Sequence, residues 1–113
     1  MLVYKILRAE EWAHLDAEGE SAGAPVDLAD GFVHLSTGTQ VAETAAKHFA
    51  GEDGLSLVAF DADTLGSALR WEVSRGGAKF PHLYGPLSRD KVVWAVALPL
   101  GDDGAHVFPG DLP

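Results

Sequence analysis

The chain contains no cysteine, which excludes disulfides, thiolate nucleophiles and cysteine-based zinc or iron–sulfur centres. Positive charge is scarce. Eight Lys and Arg stand against 17 Asp and Glu, and the resulting formal net charge of −9 repels the phosphate backbone of duplex nucleic acid. A small phosphorylated ligand is not excluded by this, because a few well-placed donors suffice to hold one. No run approaches the roughly 18 consecutive apolar residues of a membrane span. The segment Met1-Leu2-Val3-Tyr4-Lys5-Ile6 also lacks the charged region, long apolar stretch and cleavage site of a signal peptide. No duplex nucleic acid, no membrane and a cytoplasmic location are therefore expected. Internal repeats and low-complexity tracts are absent too.

What is present is enough apolar material for one core. With 113 residues, 47% of them apolar, the chain predicts a single domain over residues 1–113. Leu2–Leu7 reads as a strand, and Ala9–Ala17 as a short helix with Trp12 and Leu15 on its buried edge and Gly19 as its stop. Residues 19–30 have no sustained period and read as a loop with one helical turn around Val26–Ala29, of a length that often covers a site. Gly31–Leu35 is a second strand running into Ser36 and Thr37, and Thr37 with Gln40 has capping-box spacing. Val41, Ala45 and Phe49 then recur on one side of a helix that Gly51 ends.

Leu55–Phe60 and Leu69–Val73 read as strands separated by a turn at 61–66, and Arg75–Lys79 as a flexible basic link. Phe80–Tyr84 is a further strand, followed by a turn at Gly85-Pro86-Leu87. Lys91–Leu98 is the longest strand candidate, and its near-continuous apolar run predicts a central position buried on both faces. The tail, residues 99–113, is Gly- and Pro-containing and is expected to pack loosely. Two N-terminal helices followed mainly by strands make an α+β domain, with the helices packed on a mainly antiparallel sheet.

Three of these strands carry an unusual set of side chains on one face. Alternation turns Phe32, His34 and Ser36 one way, pairs Arg70 with Glu72, and aligns Phe80, His82 and Tyr84. The opposite faces, Val33-Leu35, Leu69-Trp71-Val73 and Pro81-Leu83, read as core. Two imidazoles, a carboxylate, a guanidinium, a phenol and a hydroxyl exceed what a wetted sheet surface needs, and their convergence would make a ligand cleft. The bland alternative is the outer face of an antiparallel sheet.

His34 and Ser36 end a strand that feeds a helix N-terminus, a place where phosphate or carboxylate can dock; alternatively Ser36 and Thr37 only cap that helix. Arg70 with Glu72 is either an exposed ion pair or an anion clamp beside a carboxylate. No metal is assigned, because His34, His82 and Glu72 lack His-x-His or His-Glu-x-x-His spacing. The Gly-x-Ser-x-Gly turn of a serine hydrolase is absent as well. His48 reads as a surface residue complementing a helix C-terminus, while His14 and His106 have no evident partners.

The segments Asp30-Gly31-Phe32-Val33-His34-Leu35-Ser36-Thr37, Leu69-Arg70-Trp71-Glu72 and Phe80-Pro81-His82-Leu83-Tyr84-Gly85-Pro86-Leu87 resemble the signatures of a bacterial family, domain of unknown function 952. The resemblance extends from Tyr4-Lys5-Ile6 to His106-Val107-Phe108-Pro109. That family in turn resembles, remotely, the ADP-ribosyltransferase fold and its RNA 2′-phosphotransferases, which build a cleft between two small sheets. This resemblance implies a split sheet and NAD as the cofactor, or another small nucleotide-like ligand. It implies His34 at the ribose with Ser36 and Thr37 beside it, Arg70 on phosphate, and Glu72, His82 and Tyr84 at the reacting sugar. The chain departs from the His-Tyr-Glu order of that class, since Glu72 precedes Tyr84, and it offers few arginines, Arg70 and Arg75. An NAD- or ADP-ribose-utilising transferase or glycohydrolase is one expectation; a non-catalytic nucleotide- or metabolite-binding module and a structural protein without ligand are the others.

Overall fold

Strand-forming sequence lies at both ends of the chain, and the two ends meet in one sheet. A computed structural model of the chain describes residues 1–110 and 112, without the side chain of Arg75. The order is β1 (Leu2–Leu7), α1 (Ala9–Glu18), β2 (Glu20–Ser21), α2 (Pro25–Asp30), β3 (Val33–His34), α3 (Val41–His48), β4 (Leu55–Asp61), α4 (Ala62–Leu65), β5 (Leu69–Val73), β6 (Lys79–Leu83), β7 (Leu87–Ser88) and β8 (Val92–Leu98). The strands form three antiparallel sheets, β1-β4-β8, β2-β7 and β3-β6-β5, so the domain is α+β. Among the described residues, no helix is long and apolar enough to cross a membrane.

β4 occupies the central place, and its alternation serves two cores. Val58 and Phe60 turn toward Val3, Leu7, Leu15, Val33, Leu35, Leu83 and Leu87, so α1 and the β3-β6-β5 sheet close one face. Leu55, Leu57 and Ala59 turn the other way, toward Tyr4, Ile6, Val41, Ala45 and Leu98, where α3 lays down the stripe expected of it. The helix ends follow backbone chemistry. Gly19 closes α1 and Gly31 closes α2, both at positive φ and each donating its N–H back to the last turn.

Several sequence expectations need correction. β8 contributes Ala95 to one core and Trp94 and Leu98 to the other, but it is an edge strand, not a central one, because β4 lies between it and β1; Val93 and Val96 are exposed. The back face of β5 is not core: Trp71 is 39% and Val73 66% exposed, since β5 is itself a sheet edge and its far end overhangs the core. Residues 19–30 contain β2 and the six-residue α2 rather than a loop with one turn. Within the tail Leu100 bridges His106, and Phe108 and Leu112 pack against the second core; Asp111 and Pro113 lie outside the described residues.

A backbone bridge joins the first sheet to the segment that follows β3. Tyr4 N–H donates to Ser36 O at 2.7 Å and Ser36 N–H returns to Tyr4 O at 2.9 Å, while Leu35 N–H donates to Pro81 O at 3.0 Å. The segment after β3 thus bonds both sheets. Leu57, fully buried on β4, has no room to be trimmed cheaply. Leu57→Ala is expected to lower the unfolding free energy by about 2–5 kcal/mol in urea denaturation; a loss near zero would contradict the placement of β4 at the centre.

Candidate functional site

The register of the third sheet decides which side chains meet. His82 on β6 stands opposite His34 on β3 and opposite Arg70 on β5, and Glu72 lies opposite Phe80. Glu72 and His82 are then diagonal neighbours on one face, within reach of long side chains. His82 Nδ1 lies 2.8 Å from Glu72 Oε1, and the Tyr84 hydroxyl donates to the same oxygen at 2.8 Å. Arg70 does not reach this carboxylate cluster as a clamp; its guanidinium lies 4.6 Å over the Tyr84 ring.

Phe32 ties the two imidazoles together. Its ring stacks on His82 at 4.3 Å and lies 4.6 Å from His34 and 5.2 Å from Tyr84. The His34 and His82 ring centres are 5.6 Å apart. The polar faces therefore converge, as the alternation of the strands predicted.

A second carboxylate anchors His34, and sequence reasoning missed it. Asp27 of α2 is only 1% exposed, and every oxygen is used. Oδ1 accepts the His34 backbone N–H at 3.0 Å and faces His34 Nδ1 at 2.6 Å; Oδ2 accepts Ala24 N–H at 2.7 Å and pairs with Lys5 Nζ at 2.8 Å. Lys5, itself buried, also donates to His34 O at 3.1 Å. Asp30, one turn further along α2, meets His34 Nε2 at 2.9 Å. Gly23 permits the approach, because a Cβ there would collide with the Asp27 carboxylate. The signal available in the sequence was Lys5: a lysine pointing inward from an apolar strand needs a buried partner.

These groups border a cavity of about 460 Å³ where β1 of the first sheet meets β3 and β6, walled by α2 and α3. Its lining includes Tyr4, Lys5, Arg8, Asp30, His34, Ser36, Thr44, His48, Phe49, Phe80 and His82. Of the residues singled out from sequence, His34, Ser36, His48, Phe80 and His82 line it. Glu72 and Tyr84 stand behind His82 rather than in the wall, and Arg70 and Thr37 are outside the lining. Ser36 spends its hydroxyl on Thr44, 3.0 Å away, and does not cap α3. The expected capping box is half formed: Gln40 Oε1 accepts Thr37 N–H at 3.0 Å, but the helix begins only at Val41. His106, expected to be without a partner, bonds Glu52 O at 2.7 Å. The two cations of the wall are both paired, Lys5 with Asp27 and Arg8 with Glu52 at 2.9 Å.

The electrostatics follow from these contacts. Burial alone would raise the Asp27 carboxyl, but the His34 hydrogen bond, the Lys5 charge and hydrogen bond and the His34 N–H overcome it and lower it from 3.8 to about 2. Glu72 is held below the usual range by the hydrogen bonds from His82 and then Tyr84. Tyr84 is pushed above its ordinary value, first by that same hydrogen bond to Glu72.

A family model described as a protein of unknown function, DUF952, matches residues 6–95, and the chain belongs to that family. Its solved structural relatives include the protein CC0527 of Caulobacter crescentus. The X-ray structure of CC0527 is 51% identical, with 95% of this chain and 94% of that chain covered and a TM-score of 0.91. The solution NMR structure gives 53% identity, coverage of 92% and 90%, and a TM-score of 0.83. No curated protein matches. None of these findings supports the expected likeness to ADP-ribosyltransferases.

Asp27 has a depressed carboxyl, so the stability it contributes is fully present above about pH 4 and is lost as pH falls toward 2. By linkage the loss is about 2 kcal/mol. In urea denaturation at stepped pH, the wild type should lose that amount more than Asp27→Asn between pH 5 and pH 2. Parallel pH profiles for the two proteins would contradict the pairing. Separately, Glu72→Gln should bring the phenolate titration of Tyr84 down toward its ordinary range, as read from its ring resonances; an unmoved titration would remove the hydrogen bond from the account.

Proposed function

We propose that this protein binds a small ring-bearing, hydroxylated metabolite of nucleoside or nucleotide type in the cavity beside His34 and His82, and that His82 moves a proton on it. The observation that carries the reading is the Glu72–His82 pair. A carboxylate at Nδ1 fixes the ring and leaves Nε2 as the nitrogen able to accept a proton from a ligand hydroxyl. The cavity volume of about 460 Å³ lies in the range of roughly 300–1,000 Å³ usual for small-molecule sites. Tyr4, Phe49 and Phe80 in its wall suit a planar ring, and the Ser36 and Thr44 hydroxyls suit hydroxyl groups, the two ring nitrogens of His34 being held by Asp27 and Asp30.

A finer version makes the ligand NAD or ADP-ribose and the protein a transferase or glycohydrolase, with His34 at the ribose, Arg70 on phosphate and Glu72 opposite an oxocarbenium-like centre. Support for it is the position of the cavity between two small sheets with His34 in its wall. Weighing against its charge placement, Glu72 is engaged by His82 and Tyr84, Arg70 lies over Tyr84, and Lys5 and Arg8 are neutralised by carboxylates. Proton transfer by His82 is therefore the step we assign, ahead of carboxylate stabilisation of a glycosyl cation.

Calorimetry and imidazole NMR with adenosine, nicotinamide riboside, ADP-ribose and NAD test this. At least one of them should bind with shifts of the His34 and His82 ring resonances, and His82→Ala should weaken it about tenfold or more. Silence across the whole series would overturn the ligand class. A ligand that binds but is recovered unchanged after long incubation would leave a binding module and remove the proton-transfer step.

A further inference from the structure

We propose that the cavity selects a positively charged ring compound without phosphate, and that the Asp30 carboxylate reads its charge. This rests on the nucleoside-type reading of the cavity and narrows it, from nucleoside or nucleotide to a cationic nucleoside.

His82 is only 6% exposed, and Glu72 takes its Nδ1. Among the described residues Nε2 has no partner, and since no sealed side-chain nitrogen or oxygen there is left unpaired, that atom opens onto the cavity. A buried ring thus keeps one polar atom for a ligand. Tyr4, Phe49 and Phe80 line the same wall, and aromatic faces attract cations; the Arg8 guanidinium already lies 4.9 Å over the Phe49 ring.

Charge then decides the class. Lys5 is matched by Asp27 at 2.8 Å, and Arg8 is held by Glu52 through bonds of 2.9 and 3.0 Å, with Glu11 also 3.7 Å away. Neither cation is left over for a phosphate. Asp30 by contrast spends only Oδ2, on His34 Nε2 at 2.9 Å; its side chain lines the cavity, is 48% exposed and has no partner at Oδ1 among the described residues. Around the cavity the described residues set two cations, Lys5 and Arg8, against five carboxylates, Asp27, Asp30, Glu11, Glu52 and Glu72. Protonating His34, His48 and His82 all at once would only cancel that excess. A phosphate would enter against it and against a chain of net charge −9, whereas a cationic ring is drawn in by the aromatic wall and by Asp30 together.

Nicotinamide riboside, its 5′-phosphate and its uncharged dihydro form differ from one another only in phosphate and ring charge, so calorimetry with the three tests the proposal. The riboside should bind about tenfold tighter than either of the others. Asp30→Asn, with an unchanged circular dichroism spectrum, should bring the riboside down to the level of its dihydro form. Inorganic phosphate at fixed pH should leave the His34 and His82 ring resonances unmoved. Equal or tighter binding of the phosphorylated or the dihydro form overturns the charge preference, as does a saturable shift of those resonances by inorganic phosphate. An undiminished preference in Asp30→Asn removes Asp30 from it. Binding of adenosine or ADP-ribose with silence from nicotinamide riboside overturns the preference alone, whereas silence from every one of these compounds overturns the nucleoside-type reading beneath it.

Discussion

The Asp27 carboxylate is the tie on which the site depends. It is buried, and it binds a lysine from β1, the backbone and ring of a histidine from β3 and the first turn of its own helix. β1, far away in sequence, and the neighbouring α2 and β3 are fixed relative to one another by one functional group. Burying an ion pair is seldom a net gain in stability, because desolvation costs about as much as the attraction returns. What the pair secures here is position. With Lys5 and Asp27 in place, His34 has one orientation and α2 has one seat beside the cavity.

Glu72 does the same for His82 from the other side. The two carboxylate–imidazole pairs differ in setting: Asp27 sits on the buried side of α2, whereas Glu72 is half-exposed behind His82 and is shared with a phenol that is itself covered by a guanidinium. Phe32 fills the space between them and makes contact with both rings. Neither imidazole can swing without disturbing that stack. The site is thus organised before any ligand arrives, the condition under which a positioned base acts with least reorganisation.

Much of this was legible in the sequence, and the reasons are local. Period-two alternation assigned His34, Glu72, His82 and Tyr84 to one face, and the sheet register did the rest. The α3 stripe of Val41 and Ala45 was equally plain, because apolar residues four apart have one helical solution. What failed depended on neighbours that sequence does not reveal. β8 and β4 are both apolar runs, and only the tertiary order makes β4 central. Trp71 and Val73 look like core until β5 proves to be an edge. Asp27 sat in a stretch without period, and its partner Lys5 was hidden in an otherwise regular strand.

The central claim is that carboxylates preset the imidazoles of the ligand-free protein, and long-range proton–nitrogen NMR of the histidine rings addresses it most directly. The neutral His82 ring should carry its proton on Nδ1, donated to Glu72, with Nε2 bare, and Glu72→Gln should abolish that preference. A His82 ring found protonated on Nε2 with Nδ1 bare would contradict the account.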